Sequence, residues 1–293
     1  TAVTGGTGGT GGAGAGGAGG SSYQPEPIPT ISDDPPAACN KTKPGYFQFL
    51  DDLCGAKVWP SQIDRDRACP IVDSSAVIAL TGGGSVTYQP SSQPPIIDTA
   101  ALAGVVPAGL MVTVIVIRRV GGVPHYRYLS SGDHDVAYQP WSTTKWLAAA
   151  NAAATLRIES NYTVGLGATV DGHLLGDLIS GAVAYDDNPF SSNALGRYFH
   201  NIGGRARANG LIHALWLGRP ASETFGGNYG AAAPALGYVF KDGNASVTIQ
   251  PDATSGPANH LSSFTIAEAL KRVVLHREEA TQRLPGIQWA DVK

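Results

Sequence analysis

The chain has 293 residues, of which 43% are hydrophobic and 15% charged, and this composition is typical of globular rather than disordered proteins. Its length predicts one large domain or two small ones. The formal net charge of -3 provides no basic surface, so nucleic acid is not an expected partner. The most apolar run, at 105–117, is shorter than the roughly 20 residues that a membrane-spanning helix needs.

The segment 1–37 begins with a Gly, Thr and Ala tract and continues with Pro and Ser. Because such residues bury little apolar surface, the segment is predicted to be a flexible tether. It resembles the spacer of a bacterial surface lipoprotein. This resemblance implies an exported protein, periplasmic or extracellular, with membrane tethering through the N-terminal linker.

The segment 38–104 contains the three cysteines of the chain, Cys39, Cys54 and Cys69. An exported chain tends to pair two of them and leave one over, and the sequence does not select the pair. Metal binding is the less favoured interpretation, because no Cys-x-x-Cys or clustered His accompanies them. We expect a loop-rich, disulfide-stapled extension, with residues 81–100 in loops.

The main domain is expected at 105–293, and its first elements form a hairpin. A β-branched run at 110–117 ends near Gly121 and Gly122, and a second strand follows at 125–129. The loop 130–140 then leads to a helix.

That helix is predicted from 142 to 157, because the run is rich in Ala and Leu and lacks Gly and Pro. It opens with a Ser-x-x-Lys motif, in which Ser142 and Lys145 lie three residues apart and share one helix face. A serine hydroxyl is a poor nucleophile at neutral pH. A neighbouring amine whose charged form is disfavoured by burial can accept its proton.

The context of this motif is Tyr138-Gln139-Pro140-Trp141-Ser142-Thr143-Thr144-Lys145. It resembles the active-site segment of the penicillin-recognising serine enzymes, the serine β-lactamases of class A type and the D,D-peptidases. The resemblance implies an α+β fold of the β-lactamase/transpeptidase type, with an antiparallel sheet flanked by helices and an all-helical subdomain. Ser142 would be the nucleophile and Lys145 the general base, with no metal or organic cofactor.

The second signature of that family is Ser-Asp-Asn. It is expected between a helix at 172–184 and another at about 192–202, where two registers fit. One places Asp186, Asp187 and Asn188 there; the other places Ser191, Ser192 and Asn193. We favour Ser191 as proton relay and Asn193 as the positioning amide, because a carboxylate cannot act as a neutral hydroxyl relay. Asn188 is the alternative, and helix capping by the serines is another.

Beyond a helix at about 207–216, the region 218–262 is rich in Gly, Pro and Asn and is predicted to hold one strand, at 245–250. Glu223 resembles the loop glutamate that activates water for deacylation, although its spacing to Asn228 does not match the family. An exposed loop glutamate is the default expectation, because Glu side chains are mostly exposed, and the deacylating base is the alternative. The last helix is predicted to start at Thr265, where Glu268 completes a capping box.

The third signature of the family, Lys-Thr-Gly, does not occur in the sequence, which ends before a strand that would carry it. A two-stranded hairpin with an open edge is marginal alone and invites pairing. We therefore expect a second polypeptide to complete the sheet. An incomplete sequence is the competing explanation.

The sequence thus predicts an exported serine hydrolase that acts through an acyl-enzyme. Its substrate would be a β-lactam, a D-Ala-D-Ala-like amide or an ester. A D,D-peptidase or esterase of the same fold is the nearest alternative. A non-catalytic module that binds cell wall or protein, with Ser142 as a helix cap, is the alternative from another class.

Overall fold

The computed structural model describes residues 73–184, 189–254 and 256–292. Within them the chain is a mixed α and β structure whose sheets are flanked by helices, in agreement with the predicted α+β class. Several sequence predictions lie outside the described residues: the tether at 1–37, the cysteines Cys39, Cys54 and Cys69, and Asn188.

The structure describes ten strands, which form three separate sheets. The strands that precede or form the hairpin are β1 (Val77–Ala79), β2 (Ser85–Thr87), β3 (Gln89–Pro90), β4 (Ile97–Asp98), β5 (Thr113–Val120) and β6 (Val123–Ser130). The later strands are β7 (Thr169–Val170), β8 (His173–Leu174), β9 (Val239–Asp242) and β10 (Ala245–Thr248).

The predicted hairpin is β5 and β6, which pair antiparallel through all eight residues of each strand. Gly121 and Gly122 turn it with φ angles of 57° and 79°. Two successive positive φ angles are what a tight hairpin turn requires, and glycine adopts them without steric cost.

The loop prediction for 81–100 is wrong, because the short strands lie in and around this segment. β1 pairs with β2, while β3 and β4 both pair with β6 on the side away from β5. Strands of two or three residues are too short to produce a periodic pattern. On the outer side of β5, the described residues provide one bridge, from Asp73 to Arg119. Completion of this edge by a second polypeptide stays a prediction.

The helices are α1 (Lys145–Glu159), α2 (Leu175–Ala184), α3 (Ser192–Gly203), α4 (Arg205–Gly210), α5 (Ser263–Val274) and α6 (Trp289–Val292). The first three confirm their predicted positions. The fourth predicted helix starts two residues early and continues as a π-helical turn, Leu211–Leu215. In the described residues, no helix combines the length and the apolar character that crossing a bilayer requires.

The helical core is built on α1, which packs most extensively against α3. Ala148, Ala152 and Leu156 of α1 are almost completely buried. The two helices approach closely at Gly203 of α3, where an added Cβ would lie 2.2 Å from Asn151 Nδ2 of α1. Small residues at this contact therefore hold the two helices, and the side chains at their ends, in a defined relation.

The last long helix, α5, packs on β5. Its predicted capping box is wrong: the N-cap is Ser262, whose hydroxyl accepts from the Thr265 N–H at 3.2 Å. Glu268 instead accepts from Lys271 Nζ and Arg272 Nε, both at 2.8 Å, beneath the sheet. A buried carboxylate needs such cationic partners, and these determine its position.

The third sheet, in the order β10-β9-β7-β8, joins the segment after α1 to the long region before α5. Only β10 was predicted. β9 forms a hairpin with it through a turn at Gly243, which has a φ of 57°. The strands are only two to four residues long, and the two hairpins β7–β8 and β9–β10 are joined by a single pair, Thr169 with Lys241, so local sequence carries little signal for the sheet.

Candidate active site

The Ser-x-x-Lys motif lies on a tight helical turn. Trp141–Thr144 is a 3-10 helix that continues directly into α1, and the Lys145 N–H donates to the Ser142 carbonyl. Side chains three residues apart eclipse one another in such a turn. Ser142 and Lys145 therefore lie on one side of it, as the spacing predicted. Ser142 is half-buried, while Lys145 is only 1% exposed.

The residue before the serine has an unusual backbone. Trp141 has a φ of 50°, in the left-handed region that bulky residues rarely adopt. The Thr144 hydroxyl donates to its carbonyl at 3.2 Å. Backbone strain of this kind clusters at functional sites. The Trp141 indole is 71% exposed, beside the half-buried Ser142.

The amino group of Lys145 is held by the first turn of α3. Its Nζ donates to Ser192 Oγ at 2.8 Å and to Asn193 Oδ1 at 2.6 Å. These two contacts join the start of α1 to the start of α3, 47 and 48 positions apart in the sequence. The structure thus brings Lys145 and Asn193 into contact, two of the four residues to which the sequence assigned catalytic roles, and Ser142 lies one turn before Lys145 on the same helical segment.

The fourth residue, Ser191, has a structural role. It is the N-cap of α3: its hydroxyl accepts from the Ala194 N–H at 3.2 Å, and the residue is exposed. The lysine contact comes instead from Ser192, whose hydroxyl also donates to the Ala182 carbonyl of α2. The structure therefore places Ser192, and not Ser191, on Lys145. The sequence indicated Ser192 only as the middle residue of the Ser-x-Asn motif or as a helix cap.

The wall behind the lysine comes from the long region before α5. The Tyr229 ring centroid lies 5.9 Å from Lys145 Nζ, and its hydroxyl lies 3.3 Å from Thr144 Oγ1. Asn259 Nδ2 donates to the same Thr144 oxygen at 3.2 Å. Burial raises the pKa of the Tyr229 phenol, so the group stays protonated and neutral. No sequence signal marked Tyr229 or Asn259.

Gly196 makes this packing possible. A Cβ added to it would lie 3.1 Å from both Lys145 Cγ and Tyr229 Cδ2. That distance is shorter than an ordinary van der Waals contact, so any side chain at position 196 would displace the aliphatic part of Lys145 or the Tyr229 ring. The lysine is held by polar contacts at its tip and by packing along its stem.

Glu223 does not have the environment of a water-activating base. Its side chain is fully buried. Oε1 accepts from Arg219 Nε at 3.0 Å and Ser262 Oγ at 3.1 Å, and Oε2 accepts from the Ser262 N–H at 3.0 Å. The expectation of an exposed loop glutamate is wrong. The carboxylate ties the 219–223 loop to the start of α5.

In the described part of the chain, no group of three or more His, Cys, Asp or Glu side chains is arranged to hold a metal ion. Comparison of the chain with protein-family models, curated proteins and solved structures gave no significant match. The chemistry of the site therefore rests on its own geometry.

The two neighbouring serines provide a matched pair of variants. Ser192→Ala removes a hydrogen-bond partner of Lys145. If Ser142 is acylated, as the resemblance implies, we expect that acylation to slow by roughly a hundredfold, as when a proton-transfer group is lost. Ser191→Ala removes a helix cap, so we expect a loss of about 1 kcal/mol in the free energy of unfolding and little change in rate. Stopped-flow acylation and urea unfolding of both variants measure this. The opposite pattern would return the relay role to Ser191.

Proposed function

We propose that this protein is an exported serine acyl-transfer hydrolase of the penicillin-recognising kind, with a β-lactamase/transpeptidase-like fold. The observation that carries the proposal is the buried amino group of Lys145, hydrogen-bonded to Ser192 and Asn193 one helical turn from Ser142. A surface lysine at a helix start would not be buried to 99% and held by two directed side-chain contacts.

In the proposed reaction, Ser142 Oγ attacks a carbonyl carbon while its proton moves to Lys145 Nζ. The C–N or C–O bond of the substrate then breaks, and the departing atom takes up a proton, with Ser192 as the relay. An acyl ester on Ser142 results. Asn193 positions the lysine through Oδ1 and has its amide nitrogen available to a substrate carbonyl. Candidate substrates are β-lactams, D-Ala-D-Ala-like amides and esters.

The environment of Glu223 favours a long-lived acyl-enzyme. Both carboxylate oxygens already accept hydrogen bonds, from Arg219 and Ser262, and the side chain has no exposed surface. A deacylating base has to bind and activate a water molecule. We therefore favour the D,D-peptidase-like alternative, in which penicillin labels the enzyme and leaves slowly, over a rapidly hydrolysing β-lactamase.

A fluorescent penicillin tests the proposal. We expect covalent labelling that peptide mapping places on Ser142, that persists for minutes or longer, and that Ser142→Ala abolishes. Rapid release of hydrolysed penicillin would support a β-lactamase instead. Absence of labelling, together with inertness toward activated esters, would contradict the hydrolase proposal and favour a binding module.

A further inference from the structure

A cavity of about 480 Å³ lies along the same helix that holds Lys145. Asn193, Arg197 and Asn201 are spaced four residues apart on α3, so they share one face of the helix. Asn193 contacts Lys145, whereas Arg197 and Asn201 line the cavity. Four residues of helix advance about 6 Å along the axis. The cavity therefore begins about one helical turn from the lysine.

The opposite wall of the cavity is continuous with the wall of the site. Asn228 lines the cavity, and the next residue is Tyr229, whose ring faces Lys145 Nζ. Gly227, on the other side, is fixed by its N–H donating to Asn259 Oδ1 at 2.8 Å. A substrate attached to Ser142 could thus extend along the face of α3 that carries Asn193 and Arg197, and past Asn228 into the cavity.

The cavity carries an excess of positive charge. Arg197 Nη1 and Nη2 donate to the carbonyls of Gly227 and Thr254, at 3.4 and 2.6 Å, and no carboxylate pairs with this guanidinium among the described residues. Nearby Arg205 is paired with Asp252 at 3.0 Å. Two guanidinium groups therefore face one carboxylate.

The carboxylate of Asp252 already forms an ion pair with Arg205. Burial acts to raise the pKa of Asp252, but hydrogen bonds from Thr254 and the Arg205 N–H outweigh it and lower that pKa to about 2. Asp252 is thus an anion bound to Arg205. Burial, and then the proximity of Arg205, lower the pKa of Arg197, and the opposing effect of Asp252 is smaller. Arg205 Nη2 is buried without a hydrogen-bond partner.

We propose that this cavity is a subsite for a second, distal carboxylate carried by the acyl substrate, with the Arg197 guanidinium as its charged partner. The Asn201 and Asn228 amides provide further polar contacts in the cavity. The inference rests on the proposed function and deepens it, because it makes dicarboxylic acyl groups the preferred class. A guanidinium that is lined by amides and backbone, and that pairs with no carboxylate in the described part of the chain, is suited to bind a carboxylate by charge-assisted hydrogen bonds.

Paired 4-nitrophenyl esters test the subsite. Hemiesters of glutaric, adipic and suberic acid are compared with 4-nitrophenyl alkanoates of the same length, and the efficiency of Ser142 acylation is measured for each. We expect a preference for the hemiesters of roughly ten- to hundredfold at the best length, the worth of a hydrogen bond between charged groups. Arg197→Gln should abolish the preference, and Arg197→Lys should retain part of it.

The control is Lys241→Gln, which removes one positive charge from an exposed position on β9 and should leave the preference unchanged. Binding of suberate itself, measured calorimetrically with wild type and Arg197→Gln, provides a readout that does not require acylation. Equal efficiencies for hemiesters and alkanoates in the wild type would overturn the subsite. The subsite would also be overturned if Arg197→Gln lowered the acylation efficiency of hemiesters and alkanoates equally, because Arg197 would then have only a structural role.

These experiments distinguish failure of the proposed acyl-transfer function from failure of the proposed carboxylate subsite. If neither series acylates Ser142 and fluorescent penicillin does not label it, the proposed function is overturned, and the suberate titration then decides the subsite alone. Binding that Arg197→Gln removes would support the subsite, and absence of binding to the wild type would overturn it.

Discussion

Replacing Lys145 by methionine is expected to slow acylation of Ser142 by about 10² to 10⁴, the usual contribution of a positioned general base. Methionine has a similar length and is apolar, so it suits a position that is 1% exposed. It cannot accept the serine proton. The folded state should remain intact, because the stem contact with Gly196 is kept while a buried amine is removed.

The measurement is the rate of fluorescent penicillin labelling, with urea unfolding of the same preparations. Lys241→Met, on the exposed side of β9, is the matched control and should label at the wild-type rate. Lys145→Arg keeps the positive charge, but the guanidinium does not lose its proton and cannot accept the one from serine, so this variant should also be slow. Wild-type labelling by a folded Lys145→Met protein would remove Lys145 from the mechanism.

Stability is expected to fall by about 3 kcal/mol between pH 6.5 and pH 4 because of His200, at about 1.4 kcal/mol for each pH unit. The imidazole is 1% exposed and packs edge-on to Phe225, with ring centroids 4.5 Å apart. Burial, followed by the charges of Arg205 and Arg197, lowers the pKa of His200 from 6.5 to about 3, against a smaller opposing effect of Asp252.

The direction follows from the protons bound in each state. Between pH 6.5 and pH 3 the unfolded chain binds a proton at this histidine and the folded chain does not. Acidification in this range therefore favours unfolding, and the stabilisation is fully present above pH 6.5. Neither ring nitrogen has a hydrogen-bond partner in the structure, so replacement by an apolar ring breaks no hydrogen bond of the neutral imidazole.

Urea unfolding of the wild type and of His200→Phe at pH 7 and pH 4 tests this. We expect the pH dependence of the variant to be weaker by most of the predicted amount. His276, whose pKa burial lowers to about 4, remains in both proteins and contributes equally. An identical loss of stability in the two proteins on acidification would show that His200 does not titrate as expected.

Several parts of this fold were predictable because their signals are local. The β5–β6 hairpin follows from a β-branched run and two glycines, and α1 follows from an Ala-rich segment without Gly or Pro. The alignment of Ser142 with Lys145 needs only helical spacing, and the structure retains it although the turn is 3-10 rather than α.

The choice between Ser191 and Ser192 was not predictable in the same way. Both hydroxyls occupy the start of α3, and the one that meets Lys145 depends on how α3 is rotated against α1. Packing of Ala152, Asn151 and Gly203 sets that rotation. The burial of Glu223 was missed for a related reason, since its partner Ser262 lies 39 residues away.

By itself, then, the sequence determined the hairpin, the principal helices and the pairing of a hydroxyl with an amine on one turn, because each depends on residues a few positions apart. Only the tertiary structure decided which groups surround that amine. Ser192, Tyr229 and the Arg197 cavity come from segments distant in the chain, and their meeting depends on side-chain packing that no local periodicity records.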